Sequence, residues 1–244
     1  MSGMKSYGED LAYIHDAGFR DYCLNAAPGL LRALRRNGIT SGFVIDLGCG
    51  SGRWARELNQ ARYEVLGVDQ SPAFIRLARK IAPRSRFVNA SLLRVALPAC
   101  DAVTSIGECL NYTFDRRAEK AELARLFVRV NRALRPGGVF VFDAAEPGRI
   151  PEDGPRRQWF EGADWAILVE TDGNRKQRTL TRRIICFRQR GPQYRRSEET
   201  HRLHLYPAAE VIQMLGQAGF EAKRMDAYGG FRLPVGIAAF LARK

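Results

Sequence analysis

Apolar positions recur along this chain in two alternating rhythms. Leu11, Ile14 and Phe19, then Leu24, Leu30, Leu31 and Leu34, fall at helical spacing. They predict two helices within residues 9–37, the second stopped by Gly38. Short apolar runs follow at 43–47 and Glu64–Val68, separated by a segment, Trp54–Gln60, that can wind as a helix. Ser71-Pro72 offers an N-cap with proline at the first helical position, which predicts a helix to about Ile81. Arg86–Val88, Ala102–Ser105 and Val139–Phe142 read as further strands. Between the last two lies an amphipathic helix over Ala118–Leu134, ended by Arg135-Pro136-Gly137-Gly138. Strands alternating with helices in this way predict an α/β fold with a doubly wound, mostly parallel sheet. Its ligand should lie beyond the carboxyl ends of the strands.

After Asp143 the rhythm changes. Residues 147–158 (PGRIPEDGPRRQ) are polar and rich in Pro and Gly, and read as a loop. Trp165–Thr171, Thr179–Phe187 and Arg195–Leu205 look like three antiparallel strands, separated by Asp172-Gly173-Asn174 and Gly191-Pro192. A helix over Pro207–Ala218, ended by Gly219, leads to strands at Phe220–Ala227 and Ile237–Arg243. At 244 residues the chain suits one domain, residues 1–244, with a helical N-terminal part (1–40) and a β-rich insertion at 148–206.

The candidate chemistry begins at 43–52, FVIDLGCGSG, where a strand carrying Asp46 opens into Gly48-Cys49-Gly50-Ser51-Gly52 and then a helix. Such a junction brings bare backbone and a positive helix end against a ligand. A dinucleotide fingerprint would need glycine at position 53, which is Arg53. The DxGxGxG spacing instead resembles motif I of the class I methyltransferases that use S-adenosylmethionine (product S-adenosylhomocysteine). Asp69, about twenty residues on, and the Pro136-Gly137-Gly138 turn also stand where that family has an acid and its PGG. The resemblance covers residues 42–145 and 207–244 and implies a seven-stranded Rossmann-like core with an antiparallel last hairpin. It implies cofactor contacts from Asp46, Gly48, Cys49, Gly50 and Gly52, from Asp69 and Gln70, and from Ser105, Ile106 and Gly107. In the family an acid often follows the third strand; here Ser91 stands at that place, and Asn89 or Ser91 would take the adenine contact.

The loop Ser105–Tyr112 resembles small-molecule methyltransferases with an Asn-Tyr pair at this position. In that branch N-terminal helices and a β insertion form a lid and a substrate cap. The resemblance therefore implies a small-molecule acceptor touched by residues from these parts, among them Tyr13 and His15 of the first helix and Glu108 and Asn111 of the loop. Alternation on the last insertion strand puts Glu199, His201, Leu203 and Leu205 on one face, and Thr200, Arg202, His204 and Tyr206 on the other. His201, then Glu199, are the candidate catalytic residues for an acceptor that must lose a proton; His204 is a candidate substrate contact.

Charge changes this picture little. The net +13 comes mostly from arginines spread along the whole chain, with no basic run interleaved with aromatics, so nucleic acid is not the expected partner. In the doublets Arg156-Arg157, Arg182-Arg183 and Arg195-Arg196, neighbours on a strand face opposite ways. One member of each could therefore receive an acidic acceptor, while solvated strand edges are the plainer reading of the doublets. Five cysteines without CxxC or CxxH spacing argue against zinc and a disulfide framework, so no metal is expected. No apolar run is long enough to span a bilayer, and the charged N-terminus lacks a signal peptide's core; a cytoplasmic protein is expected. An RNA or protein methyltransferase, and a cofactor-binding scaffold without catalysis, are the alternatives.

Overall fold

The computed structural model describes residues 7–115 and 120–244. Seven strands form one sheet: β1 (Gly42–Leu47), β2 (Tyr63–Asp69), β3 (Arg86–Asn89), β4 (Cys100–Ser105), β5 (Leu134–Ala145), β10 (Glu221–Met225) and β13 (Ile237–Arg243). Their order is β10-β13-β5-β4-β1-β2-β3. Strands β1 to β5 pair in parallel, whereas β13 runs antiparallel to both β5 and β10. The sheet predicted from the alternating rhythms is therefore present, with its antiparallel last hairpin.

Among the described residues six α-helices complete the main elements: α1 (Glu9–Gly18), α2 (Asp21–Arg36), α3 (Arg53–Gln60), α4 (Pro72–Ile81), α5 (Lys120–Ala133) and α6 (Ala208–Gln217). The period-2 pattern of the strands divides the core into two layers. On one face Val44, Val65, Val139, Val141 and Leu241 pack against Leu30 and Leu34 of α2 and Leu58 of α3. On the other, Ile45, Val68, Phe140, Phe142 and Phe240 meet Leu126, Phe127 and Val130 of α5 and Val211 and Leu215 of α6. Burying each such side chain favours the fold by roughly 1.5–3 kcal/mol. The start predicted for α5 at Ala118 lies outside the described residues.

The insertion differs from the three strands predicted. It holds four, β6 (Arg156–Gly162), β7 (Trp165–Asn174), β8 (Thr179–Arg190) and β9 (Gln193–His204), in that order in one antiparallel sheet. β6 covers part of the segment read as a loop. It is an edge strand with Trp159 68% exposed, so its sequence carries no alternation of buried and solvated positions. Asp172-Gly173-Asn174 also stays in the ladder, and the turn falls at 175–178. Gly173 serves close approach: a Cβ there would meet Ile150 and the Thr179 carbonyl at 2.9 Å. A short hairpin, β11 (Ala227–Tyr228) and β12 (Phe231–Arg232), was not foreseen.

α1 ties the two sheets together. Towards the core, Asp16 accepts from Ser51 Oγ (2.6 Å) and from Arg53 Nε and Nη2 (2.8 and 2.7 Å). Towards the insertion, buried Asp10 accepts both Nε and Nη2 of Arg195 at 2.6 Å.

Candidate active site

The glycine turn is built by backbone geometry. Gly48, Gly50 and Gly52 all have positive φ (76°, 51° and 80°), a region that side chains disfavour. The Gly48 and Cys49 N–H groups donate to the Val68 carbonyl (2.8 and 3.0 Å), which stitches the turn to β2. At the end of β2, Asp69 accepts from Gly50 N (3.0 Å) through one oxygen and from Ser71 N (2.8 Å) through the other. Ser71 in turn caps α4 by accepting from Phe74 N, with Pro72 opening the helix as predicted. Asp46 is buried and accepts one hydrogen bond, from Thr104 Oγ1 at 2.8 Å. Burial pushes its carboxyl up to about 7 and that of Asp69 up to about 6.

The loop after β4 is held by a residue that the sequence reading gave no role. Asp143, fully buried in β5, accepts from Gly107 N (2.9 Å), Glu108 N, Tyr22 Oη (3.0 Å) and Tyr228 Oη (3.1 Å). It thereby fixes Gly107 and Glu108 in positive-φ conformations, 93° and 53°. Its only sequence signal is an acid closing an apolar strand run.

A cavity of about 930 Å³ opens beside these groups. Asp46, Gly48, Cys49, Gly50, Asp69 and Gln70 line its core end, as do Ser91, Ile106, Gly107 and Glu108. The opposite wall comes from the insertion: Gln158, Ile167, Val169, Arg182 and Ile184. A Cβ on Gly50 would meet nothing within 4 Å, so bare backbone faces open space there. Open backbone, a buried carboxylate short of partners and a second carboxylate at the neighbouring strand end form a donor and acceptor set that fits an amino acid and a ribose.

Several residues assigned from sequence stand elsewhere. Gly52 lies off the cavity, where a Cβ would press on Ala78 of α4 at 3.0 Å. Ser105 is buried and donates to the Leu47 carbonyl (2.8 Å). Asn89 donates to the Asp69 carbonyl (2.9 Å), which leaves Ser91 as the cavity-lining member of that pair. Buried Asn111 spends its amide on Ala145 N, Ala145 O and His204 O, so it joins the loop to β5 and β9 instead of facing an acceptor. Tyr13 turns outward, donating to Asp164 (2.9 Å) with the Arg188 guanidinium 3.5 Å over its ring. His204 borders a separate polar groove, while His15 does line the main cavity. Burial pushes the His15 imidazole down to about 4, so it is neutral near pH 7.

The expected face is present: Glu199, His201 and Leu203 of β9 and Leu205 just beyond it are all buried. His201 nevertheless stops short of the cavity, packed behind Tyr7, Phe114 and Tyr112 at ring distances of 4.7, 4.8 and 5.8 Å. Glu199 bonds His201 Nε2 (2.9 Å) and accepts from Gly8 N (2.7 Å), which anchors the start of α1. The pair supports the aromatic wall. Sequence reasoning missed that wall, since Tyr7, Tyr112 and Phe114 are brought together only by the packing of α1, the β4 loop and β9.

The cysteines hold no activated thiol among these groups: burial pushes those of Cys49 and Cys109 well up.

Residues 44–138 match a family model described as a methyltransferase domain. That segment carries a methyltransferase domain. The chain is 26% identical over 192 residues to the Bacillus subtilis protein named "Putative methyltransferase YqeM", with 76% of each chain covered. Among solved structures it is similar to an S-adenosylmethionine-dependent methyltransferase from Clostridium acetobutylicum, with a TM-score of 0.81 and 19% identity over 95% of this chain and 96% of that one. It is also similar to the sugar N-methyltransferase KedS8 from a Streptoalloteichus species, with a TM-score of 0.77 and 21% identity over 100% and 98% of the two chains. Both likenesses concern the fold. They extend through the insertion, beyond the segment the family model matches. Among the described residues, no helix of the chain is long and apolar enough to cross a membrane.

Proposed function

We propose that this protein transfers a methyl group to a small-molecule acceptor held between the core and the four-stranded sheet, with α1 and α2 as lid and residues 148–206 as cap. The observation that carries the reading is the cavity itself. One continuous space joins Asp46, Gly50 and Asp69 to the inner face of β6–β8, where an open basic groove would have suited RNA. The fold likeness to a sugar N-methyltransferase supports a small acceptor in the same direction.

Asp46 would hold the ammonium of the cofactor, the glycine turn would admit its backbone, Asp69 and Gln70 would take the ribose, and Ser91 would reach the adenine side. The cofactor supplies an activated methyl group on a sulfonium. The chain's own part is positioning, worth several kcal/mol in such reactions. The Asp143-anchored loop fixes Ile106, Gly107 and Glu108 at the acceptor end, and the cap walls exclude water. Neutral His15 and the Tyr7 and Tyr112 hydroxyls, 3.1 Å apart, are polar groups within that wall.

The test is transfer of radiolabelled methyl from S-adenosylmethionine to a library of small metabolites, alongside calorimetry with S-adenosylhomocysteine. Transfer to a small acceptor is expected. Cofactor binding with transfer only to RNA or protein would overturn the acceptor reading, and binding without any transfer would indicate a scaffold.

A further inference from the structure

The register of the second sheet sorts the arginine doublets. Arg156 pairs with Thr171, and Thr171 with Arg182, so these three side chains stand in one row across β6, β7 and β8. All three line the cavity. The outward members of the same doublets are neutralised: Arg157 is bonded to Glu170 (2.6 Å) and Arg183 to Glu198 (2.7 Å). The inward members are treated differently. Arg182, largely covered, is bonded to Glu108 and Tyr112 Oη, whereas Arg156 has no carboxylate within ion-pairing distance among the described residues. From the opposite wall comes Arg149, half-buried, whose hydrogen bond is a long one of 3.3 Å to the Val235 carbonyl and which likewise has no ion pair among the described residues.

The charges at this end of the cavity do not balance. Arg149 lies within electrostatic reach of Glu108, Arg182 and Arg156, and the one carboxylate among these is already paired with Arg182. Glu152, exposed like Arg156, also lines the cavity and makes no ion pair among the described residues, so two carboxylates stand against three guanidinium groups. Arg156 is exposed at the cavity mouth, while Arg149 is partly desolvated without a counter-charge, a cost that an anionic ligand would relieve. The neighbouring lining is apolar, with Ile150, Val169, Ile184 and Val235. Guanidinium forks at a concave apolar wall match a planar or tetrahedral oxyanion on an apolar body.

We propose that Arg149, Arg156 and Thr171, with Arg182 oriented by Glu108, form an oxyanion subsite, and that the methyl acceptor is a small apolar molecule bearing a carboxylate or phosphate. This rests on the proposed function, since it names the acceptor class of the same cavity. It also assigns the inward arginines a ligand while the outward ones are spent on the sheet surface.

The test uses the full chain loaded with S-adenosylhomocysteine, titrated by calorimetry with phenylacetate, phenyl phosphate and neutral phenylacetamide. Both acids are expected to bind at least ten-fold more tightly than the amide, and their ranking tells carboxylate from phosphate. In Arg149→Gln/Arg156→Gln the acids should lose at least ten-fold in affinity with the S-adenosylhomocysteine Kd unchanged within two-fold. Arg149→Lys/Arg156→Lys should recover part of that loss, which separates charge from a folding defect. Equal binding of acid and amide, no binding of any probe, or salt-sensitive RNA binding that the arginine variants abolish would each overturn the subsite while leaving cofactor binding intact. Failure to bind S-adenosylhomocysteine at all would instead overturn the function on which the subsite rests.

Discussion

The Asp69 carboxylate accepts the Gly50 N–H at 3.0 Å, so the acid at the end of β2 and the middle glycine of the turn are one unit. Its other oxygen holds Ser71 N at the start of α4. Asp69→Ala should therefore loosen the turn as well as remove the ribose acceptor. A charge-assisted bond is worth roughly 1.5–3 kcal/mol, so the S-adenosylhomocysteine Kd should rise about ten- to hundred-fold. Asp69→Asn keeps one accepting oxygen and should lose less. An unchanged Kd in the alanine variant, measured by calorimetry, would give the ribose to another residue.

Gly50 and Gly52 separate binding from stability. Gly50→Val would project into open cavity space and should abolish cofactor binding, with a backbone strain of about 1–2 kcal/mol for the left-handed conformation. Gly52→Ala would press on Ala78 and should lower Tm while the folded fraction still binds. Thermal melts with and without S-adenosylhomocysteine distinguish the two; a ligand-induced rise in Tm for Gly50→Val would count against the placement of the cofactor.

Cofactor affinity should depend on pH through Asp46. Burial raises its carboxyl to about 7 in the free protein, so the folded state holds a proton that the unfolded chain releases near 4. In the free protein this raised value, with that of Asp69 near 6, removes stability as pH climbs from about 4 to 7. An ammonium partner favours the ionised form, so binding of S-adenosylmethionine should release protons near pH 6.5 and tighten towards pH 7–8. It should weaken again as the α-amino group loses its proton at about 8. Calorimetry at pH 6.5 in buffers of different ionisation enthalpy reads the proton count directly. Proton uptake would refute the pairing.

Asn111→Ala should be a stability variant. It would strand Ala145 N and take a donor from His204 O and Ala145 O, the latter keeping Tyr206 N, a cost of roughly 2–4 kcal/mol, read as a fall in Tm of about 5–15 °C. The kcat of the folded enzyme at low temperature should stay within about two-fold. A selective loss of kcat at unchanged Tm would restore Asn111 to the acceptor site.

His201 packs against Tyr7, Tyr112 and Phe114, which predicts a positioning role. His201→Ala should lower Tm and raise the acceptor KM through the displaced rings, with cofactor affinity nearly intact. The pH profile of kcat should keep its shape. Loss of an ionisation limb in that profile would instead make His201 a base that reaches the acceptor.

The sequence by itself determined the alternation of helix and strand, the glycine turn with Asp46 and Asp69 at neighbouring strand ends, the Ser71-Pro72 helix start and the buried face of β9. These are local: positive-φ glycines, capping and the periods of 2 and 3.6 are properties of a few consecutive residues. Parity likewise foretold that the arginine doublets would split, though not which member would turn inward. Tertiary structure decided that choice, because it depends on how β6, β7 and β8 lie in register over the core. It decided that Asp143 collects donors from the β4 loop, α2 and β11, and that Asn111 is consumed by β5 and β9. It also set an aromatic wall between His201 and the cavity, since whether a buried side chain touches ligand or another ring depends on residues distant in sequence that fill the space beside it.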